Sequence, residues 1–455
     1  MSVLPPVSRL AFLLLATAVA VSAATTHHVS PKGAGERDGT DWSNARAFTS
    51  LPQLLAQLTP GDTVLLGSGH YRLDRPLDFT GSGTSEAPLT FRGIDTGDGL
   101  PTLQGSYTPA PAEPTRAIVG LRFPGAAHHW IVADLHLRNF TVALQLPPAG
   151  DDATTRSHLR FENIDGGDVD DFFVLQNATD VRVERCDVTR YAKKGFRYAD
   201  HIERLTFDRC TADANGGDET FPTRAIPNGF NGGDTDGEPR IRHVTLIDCM
   251  SRNNRYAPQL RPYWNGDGFS SEEGTTHLTY IRCSSFDNHD GGFDDKADNA
   301  TYIDCVAIGN SKGFRYWGNN GLYQNCLSAY NRAWGGGNAS DGLWVGKQRH
   351  GNLGVARVIR STFFMNGQWG LESYQGGLIT ATDCLIVTDV DAPRSQAATA
   401  NDTTRLVNCT VYSANGDGGL RAPRRDWQGD PATAFDPIDP TVNGYLSTAR
   451  TTPSK

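Results

Sequence analysis

Methionine is nearly absent, with three residues in 455. Beyond the N-terminal segment there is no apolar run of about 18 residues, which excludes a membrane-spanning helix from the body of the chain. No low-complexity Pro/Ser/Gly stretch interrupts the sequence either. A length that would suit three ordinary domains is therefore not divided by any visible linker. An excess of positive charge is missing too: 42 Lys and Arg stand against 51 Asp and Glu, a formal charge of −9. That argues against a nucleic-acid partner, because neutralising phosphates needs a basic surface. An acidic polymer would bind only through a local basic patch or a bridging cation.

What is plentiful is glycine, 49 residues, alongside a hydrophobic share of 38%. Such a chain reads as turn-rich and β-rich rather than helical. Its start reads as an export signal. Arg9 is the lone charge, Leu10 to Val21 is apolar, and Val21-Ser22-Ala23 offers a cleavage position. An uncleaved anchor is the alternative, and the small residues before Thr25 favour cleavage. Residues 1–23 are thus a predicted signal peptide. The mature chain is expected to be secreted (extracellular or periplasmic), free of the membrane and monomeric.

Eight cysteines in an exported chain would ordinarily suggest four disulfides. Their placement points elsewhere. They fall at 186, 210, 249, 283, 305, 326, 384 and 409, each closing a similar phrase such as Glu184-Arg185-Cys186 or Ile303-Asp304-Cys305. One Cys per repeat in one position predicts a ladder of buried thiols, which pack as small hydrophobes. Intervals of 24, 22, 21 and 25 residues, with longer ones of 39 and 34, mark a solenoid.

Two further ladders keep step with the first. Asn follows Cys by five residues at Asn215, Asn254, Asn288, Asn310 and Asn331, and Asn366 follows Ser361, which stands where a Cys would be. A Gly followed by Phe or Leu recurs at Gly195, Gly292, Gly313, Gly370 and Gly419; Gly229, Gly268 and Gly342 join if their coils carry inserted loops. Runs such as Val244–Asp248 and Leu278–Arg282 alternate apolar and polar residues, as half-buried strands do. The Asn is expected to take the left-handed backbone of a tight turn, and the Gly to let the chain turn back into the next strand. Coils would stack at about 4.8 Å, so residues one repeat apart become neighbours.

The pattern predicts an all-β fold, a right-handed parallel β-helix over residues 24–423. Left-handed β-helices favour hexapeptide repeats, and leucine-rich repeats need denser Leu. Residues 27–75 are expected to form the N-terminal cap and opening coil, with a short amphipathic helix at Leu51–Leu58 and the first strand after Pro60. Residues 424–455 read as an irregular C-terminal cap.

Chemistry concentrates where the coils are stretched, beside the inserted loops 211–243, 250–266 and 332–341. Asn265-Gly-Asp-Gly-Phe269 is followed one coil later by Asn288-His-Asp-Gly-Gly-Phe-Asp-Asp-Lys296, then by Asn310-Ser-Lys-Gly-Phe-Arg315. Aligning Phe269, Phe293 and Phe314 puts Asp294 and Arg315 in one outward slot on adjacent coils. Asp267 and Asp290 fall around the same turn. A lone Asp-Gly is a common turn signal; its repetition on two coils, followed by a basic residue in register, points to a site. Oxygen-only clusters suit a hard cation, above all Ca2+ in an exported protein.

These phrases, with Asn320 to Asn331, resemble the core of polysaccharide lyase family 9, calcium-dependent pectate lyases on a right-handed β-helix. That family shows Asp-Gly-Phe, then Asn-Ser-Asp-Asp-Gly-Trp-Asp, then Gly-Phe-Lys; the likeness spans about 70 residues. It implies Asp267, Asp290 and Asp294 as calcium ligands. Asp295 or Asp287 would replace the second Asp of the family's pair, where this chain has Gly291. It also implies β-elimination on an acidic polysaccharide: Ca2+ bridges protein and uronate carboxylates, and a base removes the proton alpha to the uronate. Arg315 stands in the place of the family's Lys base. Arg is a poor base because it stays protonated, although other pectate lyase families on this fold resemble an arrangement with an Arg base. Lys296, Lys312 and Lys347 are the alternative bases.

Lys296, Lys312, Lys347 and Arg349, with Arg252, Arg255 and Arg261, are candidates to bind uronate carboxylates. Trp317, Trp344 and Trp264 are candidates to stack on sugar rings; a structural role would account for each equally well. Two further readings stay open. One is a glycoside hydrolase similar to polygalacturonases, which needs paired acids; Asn265-Gly-Asp267 fits one of its phrases, while its Gly-His-Gly and Arg-Ile-Lys are missing. The other is a non-catalytic β-helix that binds glycan.

Overall fold

The computed structural model describes residues 24–108, 118–148, 155–215, 226–233, 238, 240–255, 265–334, 340–348, 351–388, 395–399 and 403–412. Residues 1–23, expected to be a signal peptide, the tail 424–455, Gly419 and the candidates Arg261, Trp264 and Arg349 lie outside them.

The short alternating runs become 34 strands among the described residues. They stack in parallel as a right-handed β-helix, and each coil contributes to three ladders. In the C-terminal half, the first ladder runs Asn228–Gly232, Phe269–Ser271, Gly291–Asp295, Lys312–Tyr316, Leu343–Val345 and Trp369–Ser373. The second includes Ile241–Ile247, Thr275–Ile281, Thr301–Ile303 and Gly321–Gln324. The third includes Met250–Arg252, Ser284–Phe286, Val306–Ile308 and Leu327–Ala329. Phe196, Phe230, Phe269, Phe293 and Phe314 stack face to face inside, with centroids 4.7–4.9 Å apart. They hold the register of the first ladder.

All eight cysteines are free and all but Cys409 are buried. Neighbouring thiols touch along the helix, as Cys186 does Cys210 and Cys283 does Cys305. The residue before each Cys takes the left-handed backbone that turns the chain between the second and third ladders; Arg282, Asp304 and Asn325 have φ of 53°, 56° and 55°.

The Asn ladder differs from expectation in two respects. The left-handed residue is the one before the Asn, such as Asp287 (φ 53°) or Tyr330 (φ 52°). The Asn itself is buried and serves as a bridge between coils. Asn310 Oδ1 accepts from the backbone N of Asn288 at 3.1 Å and from its Nδ2 at 2.8 Å, and the chain of bonds continues through Asn254, Asn331 and Asn366. Asn215, which does take the left-handed backbone itself (φ 52°), is exposed and stands outside it; the Tyr191 hydroxyl donates to Asn254 instead. The Gly before each Phe is likewise fixed by space and not by a turn: a Cβ on Gly292 would lie 2.6 Å from the Gly313 carbonyl and 2.7 Å from Asn310 Nδ2. Asn310→Ala should therefore destabilise the fold by about 2–4 kcal/mol, since it strands the buried Asn288 N–H. A lower urea midpoint at unchanged slope would report it.

At the N-terminus the helix is shorter than expected, Leu51–Leu55, with Leu51, Leu54 and Leu55 buried over the core. Thr59, ahead of Pro60, is pushed from helical geometry and instead donates its backbone N–H and hydroxyl to Asp62. Thr63–Leu66 is not the first strand, because Thr26–Ser30 precedes it and pairs with it in parallel.

Candidate active site

The first ladder is the floor of the site, and strand alternation decides what stands on it. Each Phe points in, so its neighbour on either side points out. Register pairs Phe293 with Phe314 and Asp294 with Arg315, which puts these side chains on adjacent coils as the phrase alignment required. Asp267, Asp290 and Asp294 offer carboxylate oxygens that all lie within 4.8 Å of one another.

Three like charges at that distance are unfavourable alone, and the protein meets part of the cost. Arg315 Nη1 lies 3.2 Å from Asp290 and 3.0 Å from Asp294, and Lys312 Nζ lies 3.1 Å from Asp290. Trp317 Nε1 donates to Asp294 at 2.7 Å. The Arg315 guanidinium lies over Trp317, 4.5 Å from its ring centre. Burial opposes the charge on Asp294, but Arg315, Lys296, Trp317 and Lys312 outweigh it and hold the carboxyl below its ordinary range. Asp267 is different. Among the described residues its oxygens accept from neutral groups, the Gly291 backbone at 2.8 Å and the Asn228 amide at 3.1 Å. Burial, then Asp294 and Asp290, push its pKa well up.

The cluster opens into a cleft of about 660 Å3 whose lining includes Lys194, Arg197, Lys296, Lys312, Arg315 and Trp317. Lys296 also binds Glu272 at 2.8 Å. Trp334, with Arg255 and Arg332 against its ring, and His289 also line the cleft.

Several candidates are placed elsewhere. Asp295 alternates with Asp294 and so faces the interior, fully buried, where Tyr280 and Tyr302 donate to it at 3.1 and 2.5 Å. Burial lifts its pKa to about 7. Asp287 sits on the turn before the Asn ladder, 3.9 Å from Arg255. Neither joins the Asp cluster. Lys347 is exposed beyond the strand Leu343–Val345, and Arg252 pairs with Asp213 on the third ladder; Trp344 stays beside the site, against Trp317 and 5.2 Å from the Arg315 guanidinium.

The cleft also holds residues that motif reading passed over. The Lys194 amine donates to Asn228 Oδ1, whose Nδ2 in turn donates to Asp267. Burial lowers the pKa of Lys194 to about 8, against the pull of Asp171 and Asp267. Farther along, Asp341 and Glu372 form a second acidic pair; burial and then Glu372 push Asp341 well up. The signal for Lys194 was in the sequence, because Lys194 to Tyr198 repeats Lys312 to Tyr316 residue for residue.

No family model and no curated protein matches the sequence. Among solved structures, a mannuronic-acid-specific polysaccharide family 6 lyase from the human gut microbiota superposes with a TM-score of 0.48 at 12% identity, covering 84% of this chain and 83% of that one. The A-module of the Azotobacter vinelandii mannuronan C-5 epimerase AlgE4 gives 0.46 at 11%, over 85% and 99% of the two chains. Pectate lyase Pel9A gives 0.32 at 14%, over 88% and 80%. At TM-scores below 0.5 these likenesses carry no weight for the chemistry, which must come from the residues of the cleft.

Proposed function

We propose that this chain is an exported polysaccharide lyase that cleaves a uronic-acid-containing glycan of the pectate type by calcium-assisted β-elimination. The observation that carries the reading is the Asp267–Asp290–Asp294 cluster at the floor of an open cleft, ringed by Lys and Arg.

The donor set suits a hard divalent cation: three carboxylates, no nitrogen or sulfur, and an Asp267 charge with which no cationic side chain among the described residues forms an ion pair. Asp267, Asp290 and Asp294 would hold Ca2+. When bound it would draw charge from the substrate carboxylate and acidify the proton alpha to it.

The chain's own residues divide the remaining work. Arg315, clamped by two carboxylates, stays protonated, so it serves to stabilise negative charge as the proton leaves. Lys296 is tied to Glu272, and against the effect of burial Asp294 and Glu272 hold its pKa up; Lys312 is paired with Asp290. Lys194 has no such clamp, and a pKa of about 8 makes its neutral form accessible. We therefore give the proton-accepting role to Lys194. Its lone pair takes the alpha proton, the C–H electrons form the ring double bond, and the glycosidic oxygen departs.

Incubating the purified protein with polygalacturonate and other polyuronates, with and without EDTA, tests the reading. Calcium-dependent growth of unsaturated-uronide absorbance is expected. Reducing ends without that absorbance would mean a hydrolase, epimerised sugar without cleavage an epimerase, and no change in the polymer a binding protein. Each of these overturns the proposal. For the base, Lys194→Ala should lower kcat on the order of a hundredfold or more. The wild-type rate should climb with pH to a plateau above about 8, where the amine is free. An unaltered pH profile in Lys194→Arg would remove Lys194 from the chemistry.

A further inference from the structure

Five residues occur twice in this chain, Lys194-Gly-Phe-Arg-Tyr198 and Lys312-Gly-Phe-Arg-Tyr316. Both copies lie on the first ladder with their Phe in one column. Register steps from Phe196 through Phe230, Phe269 and Phe293 to Phe314. The copies are thus four coils apart, about 19 Å at the usual strand spacing, and the coils of Asp267 and Asp294 lie between them. The outward slot of this column reads Arg197, Asn231, Ser270, Asp294, Arg315.

The two arginines occupy the same slot in opposite circumstances. Arg315 is spent on Asp290 and Asp294. Arg197 lines the same cleft half-buried, yet its guanidinium makes no hydrogen bond or ion pair with any described residue. The acid on the adjacent coil, Asp171, has Lys193 at 3.8 Å instead. Partial burial of an unpaired guanidinium costs solvation that an incoming carboxylate restores. Between Arg197 and the Asp cluster the slot holds only neutral polar groups, with Asn231 Nδ2 donating to Ser270 Oγ at 2.9 Å. Such a floor offers hydrogen bonds to sugar hydroxyls and does not repel an anion.

We propose that Arg197 binds the carboxylate of an outlying uronate, so that the groove holds a polyuronate along the helix axis with one sugar at the Asp cluster and another at Arg197. The inference takes the acidic-glycan substrate from the lyase reading and adds a direction and a minimum length to it. A neutral glycan would gain nothing from the guanidinium, and a single uronic acid is too short to reach both ends.

Arg197→Gln and Arg197→Lys in the full chain, with melting curves to verify the fold, test it. With Arg197→Gln, KM for long oligouronates should rise about tenfold or more, the loss of a charged hydrogen bond. The advantage of long over short oligomers should collapse, and Arg197→Lys should restore part of it. An unchanged dependence on chain length would overturn the subsite. A second measurement does not require cleavage: electrophoresis through a gel containing polygalacturonate or alginate should retard the wild type and retard Arg197→Gln less. If that difference appears without any unsaturated product, the lyase reading fails and the subsite stands. If cleavage proceeds while KM and retardation ignore Arg197→Gln, the subsite fails and the lyase reading stands.

Discussion

Asp267→Asn is expected to lower polyuronate cleavage on the order of a hundredfold to a thousandfold, while raising the melting temperature of the calcium-free protein. The two effects have one cause. Asp267 is buried at 2% exposure beside two other carboxylates, and Lys312 and Arg315 are committed to Asp290 and Asp294. Its charge is a cost to the folded chain that only a bound cation recovers. Removing the charge relieves the repulsion and takes away a metal ligand at the same time. A residue that merely shaped the turn would behave otherwise, losing stability with the hydrogen bond from Gly291 and leaving calcium dependence intact. Activity at graded calcium, together with thermal melts in EDTA, separates the two. A variant that is both less stable in EDTA and equally active in calcium would end the metal assignment.

Asp295→Asn should do the reverse, leaving calcium dependence alone and changing how stability follows pH. An unfolded Asp ionises near 3.9, whereas Asp295, buried among tyrosines, keeps its proton to about 7. Between those values the folded state binds more protons than the unfolded one, so stability falls as pH rises through this window and levels off above it. The total is on the order of 4 kcal/mol. Asn is neutral at every pH and retains an acceptor for Tyr280 or Tyr302. The variant should therefore be the more stable protein at pH 8, similar at pH 4, and flat in between. Urea titrations in EDTA across that range measure it. The outcome expected of a calcium ligand, cleavage lost at low calcium, would instead return Asp295 to the site.

Some of this was legible from residue order. Cys, Asn and Gly-Phe ladders gave the β-helix, because coils of 21 to 25 residues bring equivalent positions together whatever else they carry. The same reckoning put Asp294 beside Arg315, two coils with no insertion between them. Strand alternation should also have sent Asp295 inward.

Lys194 and Arg197 were harder to see. The steps from Phe196 to Phe230 and on to Phe269 run through stretched coils, so distance along the sequence no longer counts coils. What the sequence determined by itself was therefore the repeat and the identity of the groups on the uninterrupted coils, since uniform spacing translates directly into stacking. Only the tertiary structure decided which cations are spent on the Asp cluster and which have no ion-pair partner among the described residues. That choice depends on distances of a few ångströms between side chains from different coils, and on how deeply each is buried, neither of which spacing along the chain encodes.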